Sequence, residues 1–125
     1  MNLNQVTVPS TNVSASAEFY RRLGLRQIVE TSSEYARFEC PDGEATFSVH
    51  RVDRVADGSG IVVYFECAEL DRVVEKLKGD GIVFDSDPQD QRWLWREAYL
   101  HDPDGNSVCL YHAGTNRRNP PWRIP

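Results

Sequence analysis

Cysteine is scarce in this chain. Cys40, Cys67 and Cys109 are an odd number, and no two of them stand in C-x-x-C spacing. That fits a reducing cytoplasm better than a disulfide framework, and no C-x-x-C metal or redox motif is present. A run of about 18 apolar residues is also missing, so no segment is expected to span a bilayer as a helix and no membrane partner is expected. The opening residues, MNLNQVTVPS, lack the basic and apolar regions of a signal peptide. Asn12-Val13-Ser14 matches a glycosylation sequon, which carries no weight without secretion. Positive charge is in deficit. The net charge is −5, which argues against nucleic acid as a partner. What remains is globular: 40% hydrophobic and 26% charged over 125 residues, enough for one domain with a core.

The periodicities predict a strand at residues 3–8, ended by Pro9 and Ser10. A helix follows at about 14–23, with Ser14 as N-cap and a stripe of Ala17, Phe19, Tyr20 and Leu23. Gly24 stops it. Strand patterns at 25–30, 35–40 and 45–52 come next, the last two joined by a turn at Pro41-Asp42-Gly43. The loop RVADGSG, residues 54–60, divides the chain. The pattern then repeats: a strand at 61–67, a helix at 70–78 with Leu70, Val73, Val74 and Leu77 on one face, and an extension at 82–85 after Gly81. Strands at 93–101 and 107–112 flank the turn Asp102-Pro103-Asp104-Gly105-Asn106, where Pro presets φ and Gly accepts φ > 0.

The halves align at an offset of 57, which puts Gly24 on Gly81, Val6 on Val63, Val8 on Phe65 and Ala17 on Val74. The expected fold is α+β. Residues 1–113 form one domain of two βαβββ modules, about 1–56 and 57–113, each a half-rolled sheet with one helix on its convex side. Residues 114–125 form an extended basic arm. Val6, Val8, Phe19, Leu23, Phe47, Val49, Val63, Phe65, Leu77, Val108 and Leu110 are the expected helix-side cores.

The segments AEFYRRLGL, YFECAELDRVVEKLKGDGI and DPDGNSVCL, in that order, resemble the vicinal oxygen chelate superfamily. That superfamily includes glyoxalase I, extradiol dioxygenases, fosfomycin-resistance enzymes and bleomycin-resistance proteins. The resemblance implies four cavity-facing positions, where metal-binding members carry His, Glu or Gln. Here they fall on Gln5, Ser48, Val62 and Cys109. Gln5 is an acceptable ligand, Ser48 a poor one and Val62 none, and Cys109 ligates only as a thiolate. The resemblance therefore implies a member without a bound metal.

Strand alternation assigns the rest of the lining. Thr7 shares the face of Gln5. Thr46 and His50 share that of Ser48, Tyr64 and Glu66 that of Val62, and Ser107 and Tyr111 that of Cys109. Trp93, Trp95, Glu97 and Tyr99 face the same way on the penultimate strand, while Ala98 and Leu100 face the core. The expected cup is aromatic and mildly acidic, with Arg96 and Arg37 as ion-pair partners open to its two glutamates. It suits a flat or cationic organic molecule, each stacking or cation–π contact contributing about 0.5–2 kcal/mol.

The tail GTNRRNPPWRIP carries three Arg, three Pro and Trp122, leaving the rest of the chain at −8 (−5 less 3). A basic arm on an acidic body, anchored by Trp122, predicts a homodimer. The expected function is metal-independent binding of a small organic molecule, of the bleomycin-resistance type. The alternative is a lyase or dioxygenase with an atypical site, either with a divalent metal or using Cys109 with His50 as base.

Overall fold

The computed structural model describes residues 1–58 and 60–125; Ser59, in the loop at 54–60, lies outside the described residues. The fold is α+β, and the described residues form two four-stranded sheets and two α-helices in two compact units. Unit 1 is Met1–Gly60 with Asp102–Asn106, and unit 2 is Ile61–His101 with Ser107–Pro125.

Unit 1 runs β1 (Gln5–Ser10), α1 (Val13–Arg22), β2 (Arg26–Thr31), β3 (Tyr35–Glu39) and β4 (Thr46–Arg51). Its sheet has the order β1-β4-β3-β2, with β1 parallel to β4 and the other pairs antiparallel. Pro9 does not end the first strand but lies inside it. β1 is an edge strand, where a missing N–H leaves no neighbour unpaired. The N-cap of α1 is Asn12 rather than Ser14. The Asn12 carboxamide accepts from the Ala15 amide at 3.1 Å, two residues earlier than expected. Arg21 and Arg22 in the last turn complement the helix dipole, and Gly24 at φ +106° turns the chain out. Tyr20 is wholly buried, its ring 4.4 Å from Phe47 and 6.2 Å from Phe38.

The turn Asp102–Asn106 belongs to this unit. Asp102 is buried and accepts from the Tyr20 hydroxyl at 2.8 Å, from the Asn106 side chain at 2.8 Å, and from the amides of Asp104 and Asn106 at 3.0 and 2.9 Å. Asp104 accepts from the amide and hydroxyl of Thr11 at 2.9 and 2.5 Å, and from Ser16 at 3.2 Å. Asn106 also donates to the Pro9 carbonyl at 3.0 Å. The DPDGN sequence is thus a polar plug for the N-terminal end of α1, with Gly105 at φ +83° completing the turn. Burial, then the Asp102 charge, push the Tyr20 phenol far above its usual value, so it stays a neutral donor.

Unit 2 runs β5 (Val62–Glu66), α2 (Leu70–Gly79), β6 (Gln89–Asp90), β7 (Arg96–His101) and β8 (Ser107–His112). Its sheet order, β5-β8-β7-β6, repeats that of unit 1. The helices Val13–Arg22 and Leu70–Gly79 stand 57 apart at both ends (13 to 70, 22 to 79), and β1 and β5 start at the same offset (5 to 62). Between β4 and β8 the offset widens to 61 (46 to 107), so the second half holds a four-residue insertion after its helix. The expected strand at 82–85 is reduced to one bridge, Phe84 with Leu100; the pairing strand is the later, polar β6. β7 begins at Arg96, so Trp93 and Trp95 lie in the connection before it, closed by the Gln91 amide donating to the Trp95 carbonyl at 2.7 Å. After β8, in the segment expected to be extended, Gly114–Arg117 winds a single 3₁₀ turn.

Of the expected helix-side residues, Val8, Phe47, Val49, Leu77, Val108 and Leu110 are buried, and Val6, Phe19, Leu23, Val63 and Phe65 are partly buried. Among the described residues no helix is long and apolar enough to cross a membrane.

Candidate functional site

In unit 1, the sheet face opposite the apolar row is held together by polar groups. Register places Thr46 beside Gln5 and Ser48 beside Thr7, and sets Glu39, Arg37 and Tyr35 across from Thr46, Ser48 and His50. The Thr46 hydroxyl donates to the carbonyl oxygen of the Gln5 side chain. The Gln5 amide nitrogen then donates to the Ser48 hydroxyl at 2.5 Å, and Ser48 pairs with the Thr7 hydroxyl at 2.8 Å. Ser48 is fully buried by these partners. His50 packs edge-on to Tyr35, 6.3 Å between ring centres, and Arg37 donates through Nε to the Tyr35 hydroxyl at 2.8 Å.

In unit 2 the corresponding face is aromatic. Register aligns Tyr64, Cys109 and Tyr99 in one row and Glu66, Tyr111 and Glu97 in the next. Trp95 stacks on Tyr111 at 4.7 Å, and Tyr64 stands edge-on to both, at 6.0 and 5.6 Å. Cys109, Tyr111 and Ala113 are buried, with Val62, Trp95 and Tyr99 packed against them. Glu97 is only 3% exposed. It accepts from Trp93 Nε1 at 2.8 Å and from the Tyr99 hydroxyl at 3.0 Å. Burial, then hydrogen bonds to Tyr64 and Glu97, push the Tyr99 phenol well above its usual value, so it too remains a donor. The rim is open: Tyr64 is 44% and Trp93 39% exposed. Leu94 at φ +67° bends the connection that carries Trp93.

Glu66 is on the expected face but is occupied. It accepts from the amides of Ala113 and Gly114 at 2.8 Å each and lies 3.9 Å from Arg117, so it caps the 3₁₀ turn. Within unit 2, Arg96 pairs with Asp71 and Asp90 rather than with either glutamate. A groove of about 370 Å³ is found elsewhere in unit 2, at the start of α2 by Asp71, Arg96 and His112. Its charged side chains already satisfy one another.

A family model, the Glyoxalase/Bleomycin resistance protein/Dioxygenase superfamily, matches residues 2–110. The chain belongs to this superfamily. Among solved structures, this glyoxalase-superfamily chain is similar to a glyoxalase/bleomycin resistance protein/dioxygenase from Nocardioides (23% identity, TM-score 0.78, covering 100% of this chain and 90% of that one). It is also similar to a lactoylglutathione lyase from Agrobacterium tumefaciens (18%, TM-score 0.74, 89% and 92%). A bleomycin-binding protein solved with bleomycin matches at 21% identity and TM-score 0.72, covering 90% and 98%. These likenesses establish the fold. No curated protein matches the chain.

The resemblance implies metal-ligand positions at Gln5, Ser48, Val62 and Cys109. The Gln5 oxygen is taken by Thr46, its nitrogen by Ser48, and Val62 has no donor atom. Burial first, then the nearby Glu97 charge, push the Cys109 thiol up to about 12, which disfavours its thiolate form. Among the described residues no group of three or more His, Cys, Asp or Glu could hold an ion.

Two residues of the unit 1 face, Tyr35 and Arg37, were absent from the expected lining. Their signal is the alternation in YARFE, whose small and apolar members, Ala36 and Phe38, are fully buried on the helix side.

Proposed function

We propose that this protein binds a small organic molecule without a metal ion, in the manner of a bleomycin-binding rather than a glyoxalase-type member. One observation carries the reading: the buried carboxylate of Glu97, which accepts from Trp93 and Tyr99 on the same sheet face as Tyr111 and which, among the described residues, has only neutral donors on it. An unneutralised buried charge beside aromatic faces favours a flat cation, which gains from both the carboxylate and the rings. The raised Cys109 thiol and the lack of a donor atom at Val62 weigh against the two alternatives. Supporting the dimer reading, Trp122 is 58% exposed in the single chain and Ile124 lies open beside it. We place the protein in the cytoplasm on its three free thiols.

The test is titration of the full chain with a planar organic cation such as benzamidine, followed by tryptophan fluorescence. Binding that survives exhaustive chelation and weakens about tenfold or more in Glu97→Gln is expected, because a charge-assisted contact is lost. A bound stoichiometric metal, or affinity unchanged by Glu97→Gln, would overturn the reading. Light scattering of the full chain beside one ending at Gly114 tests the dimer; a monomeric full-length protein would remove it.

A further inference from the structure

The sheet face of unit 1 holds a second charged group that the cation reading does not use. Arg37 stands in the middle of β3, and its register partner is the buried Ser48. Its Nε–H is committed to the Tyr35 hydroxyl at 2.8 Å, and its guanidinium carbon sits 5.4 Å from the Tyr35 ring centre. Among the described residues, the Nη donors of Arg37 have no carboxylate partner, because Glu39, the acid next to it on this face, is held by Arg26 at 3.2 Å.

Tyr35 is arranged to match. Its oxygen accepts from Arg37, so its own proton is left to donate outward. Burial pushes this phenol up, but hydrogen bonds from Ser48 and Arg37 and the Arg37 charge outweigh it and hold the group below its usual value. A phenol made more acidic is a stronger donor. The groups around the pair, Thr7, Ser48 and Gln5, are neutral and already joined to one another, and His50 is packed edge-on to Tyr35. This face therefore offers an oriented guanidinium edge and a phenolic O–H, a donor set suited to a planar oxyanion.

We propose that Tyr35 and Arg37 form an oxyanion-binding pair that takes the carboxylate of a small organic acid. Arg37 binds it through its Nη edge and Tyr35 adds the O–H. The pair lies wholly in unit 1 and stands whether or not Glu97 binds a cation.

Benzoate is the probe, titrated into the full chain while the Arg Nε–H resonances are followed by NMR. Arg37→Met keeps the stem and removes the fork; it should weaken benzoate about tenfold or more, the loss expected of a charge-assisted pair. Arg37→Lys should recover only part, since an ammonium cannot form the fork. Tyr35→Phe should weaken benzoate by a smaller factor. Bound benzoate should also raise the Tyr35 phenol's titration midpoint, read by ultraviolet difference absorbance, an effect absent in Arg37→Met. Circular dichroism melts of each variant confirm folding. Benzamidine binding should be unchanged in Arg37→Met and benzoate binding unchanged in Glu97→Gln, so the two readings fail separately. No benzoate binding to the wild-type chain, or equal binding to folded Arg37→Met, would overturn the proposal. Equal competition by inorganic phosphate would overturn the assignment to carboxylates.

Discussion

The two units share one ladder and differ in almost everything hung on it. β4 and β8 hold equivalent registers: Ser48 stands beside Thr7 and Arg37, and Cys109 beside Tyr64 and Tyr99. On the first sheet the result is a chain of hydroxyls and an amide with a guanidinium across from it. On the second it is a cluster of rings around a buried carboxylate. A twofold repeat of backbone therefore fixes where side chains point but leaves their chemistry free. Each face reaches polar satisfaction by a different route: Ser48 is covered by short side chains that bond to it, Glu97 by aromatic side chains whose polar tips bond to it.

The largest way to break this comparison is through the core that supports the second face. Leu77→Ala removes a buried side chain from α2 and should cost about 2–5 kcal/mol in urea unfolding. A loss below 1 kcal/mol, on the order of a surface change, would mean that α2 is not the second sheet's packing partner. The next test sets the polar centres side by side. Glu97→Ala strands two donors and should cost about 1–3 kcal/mol, whereas Ser48→Ala, whose partners Gln5 and Thr7 remain within 3.5 Å of each other, should cost about 0.5–1.5 kcal/mol. Equal losses would say that the two routes to satisfaction are energetically alike. The smallest effect is in pH. Burial raises the Asp104 carboxyl, but the bonds from Thr11, Ser10 and Ser16 outweigh it and hold the group below its usual value. A depressed folded-state pKa contributes stability above the usual carboxylate value of about 4 and loses it as pH falls through the folded value. Asp104→Asn should therefore flatten the acid limb of the stability curve. An unchanged acid limb would show that the plug at α1 carries no proton linkage.

Much of this was legible in the residues. Alternation in Val6–Thr7–Val8 and in Phe47–Ser48–Val49 separates the two sheet faces, because a one-residue slip would bury the polar set. The helices followed from their apolar stripes. Other features were not legible, for identifiable reasons. Pro9 looks like a terminator unless the strand is known to be an edge. Asn12 and Ser14 are both good N-caps, and only geometry chooses between them. β6 is two polar residues, with no apolar signal to read. Leu94 takes a backbone region that residue type signals only for Gly or Asn. Parity placed Tyr64, Trp95 and Tyr111 on one face, but it does not say that their rings meet each other. Nor does it say that Glu66 turns to the amides of Ala113 and Gly114.

The plug of Asp102–Asn106 has a temporal side. A chain emerging from the ribosome completes Met1–Gly60 long before it supplies the carboxylates on which Tyr20, Thr11 and Ser16 converge. Until then Tyr20 has a buried phenol with no acceptor, which penalises closing the first core. The first unit is therefore expected to close only once Asp102–Asn106 has been made. An excised Met1–Gly60 peptide is expected to remain without fixed structure until a peptide carrying Asp102–Asn106 is supplied.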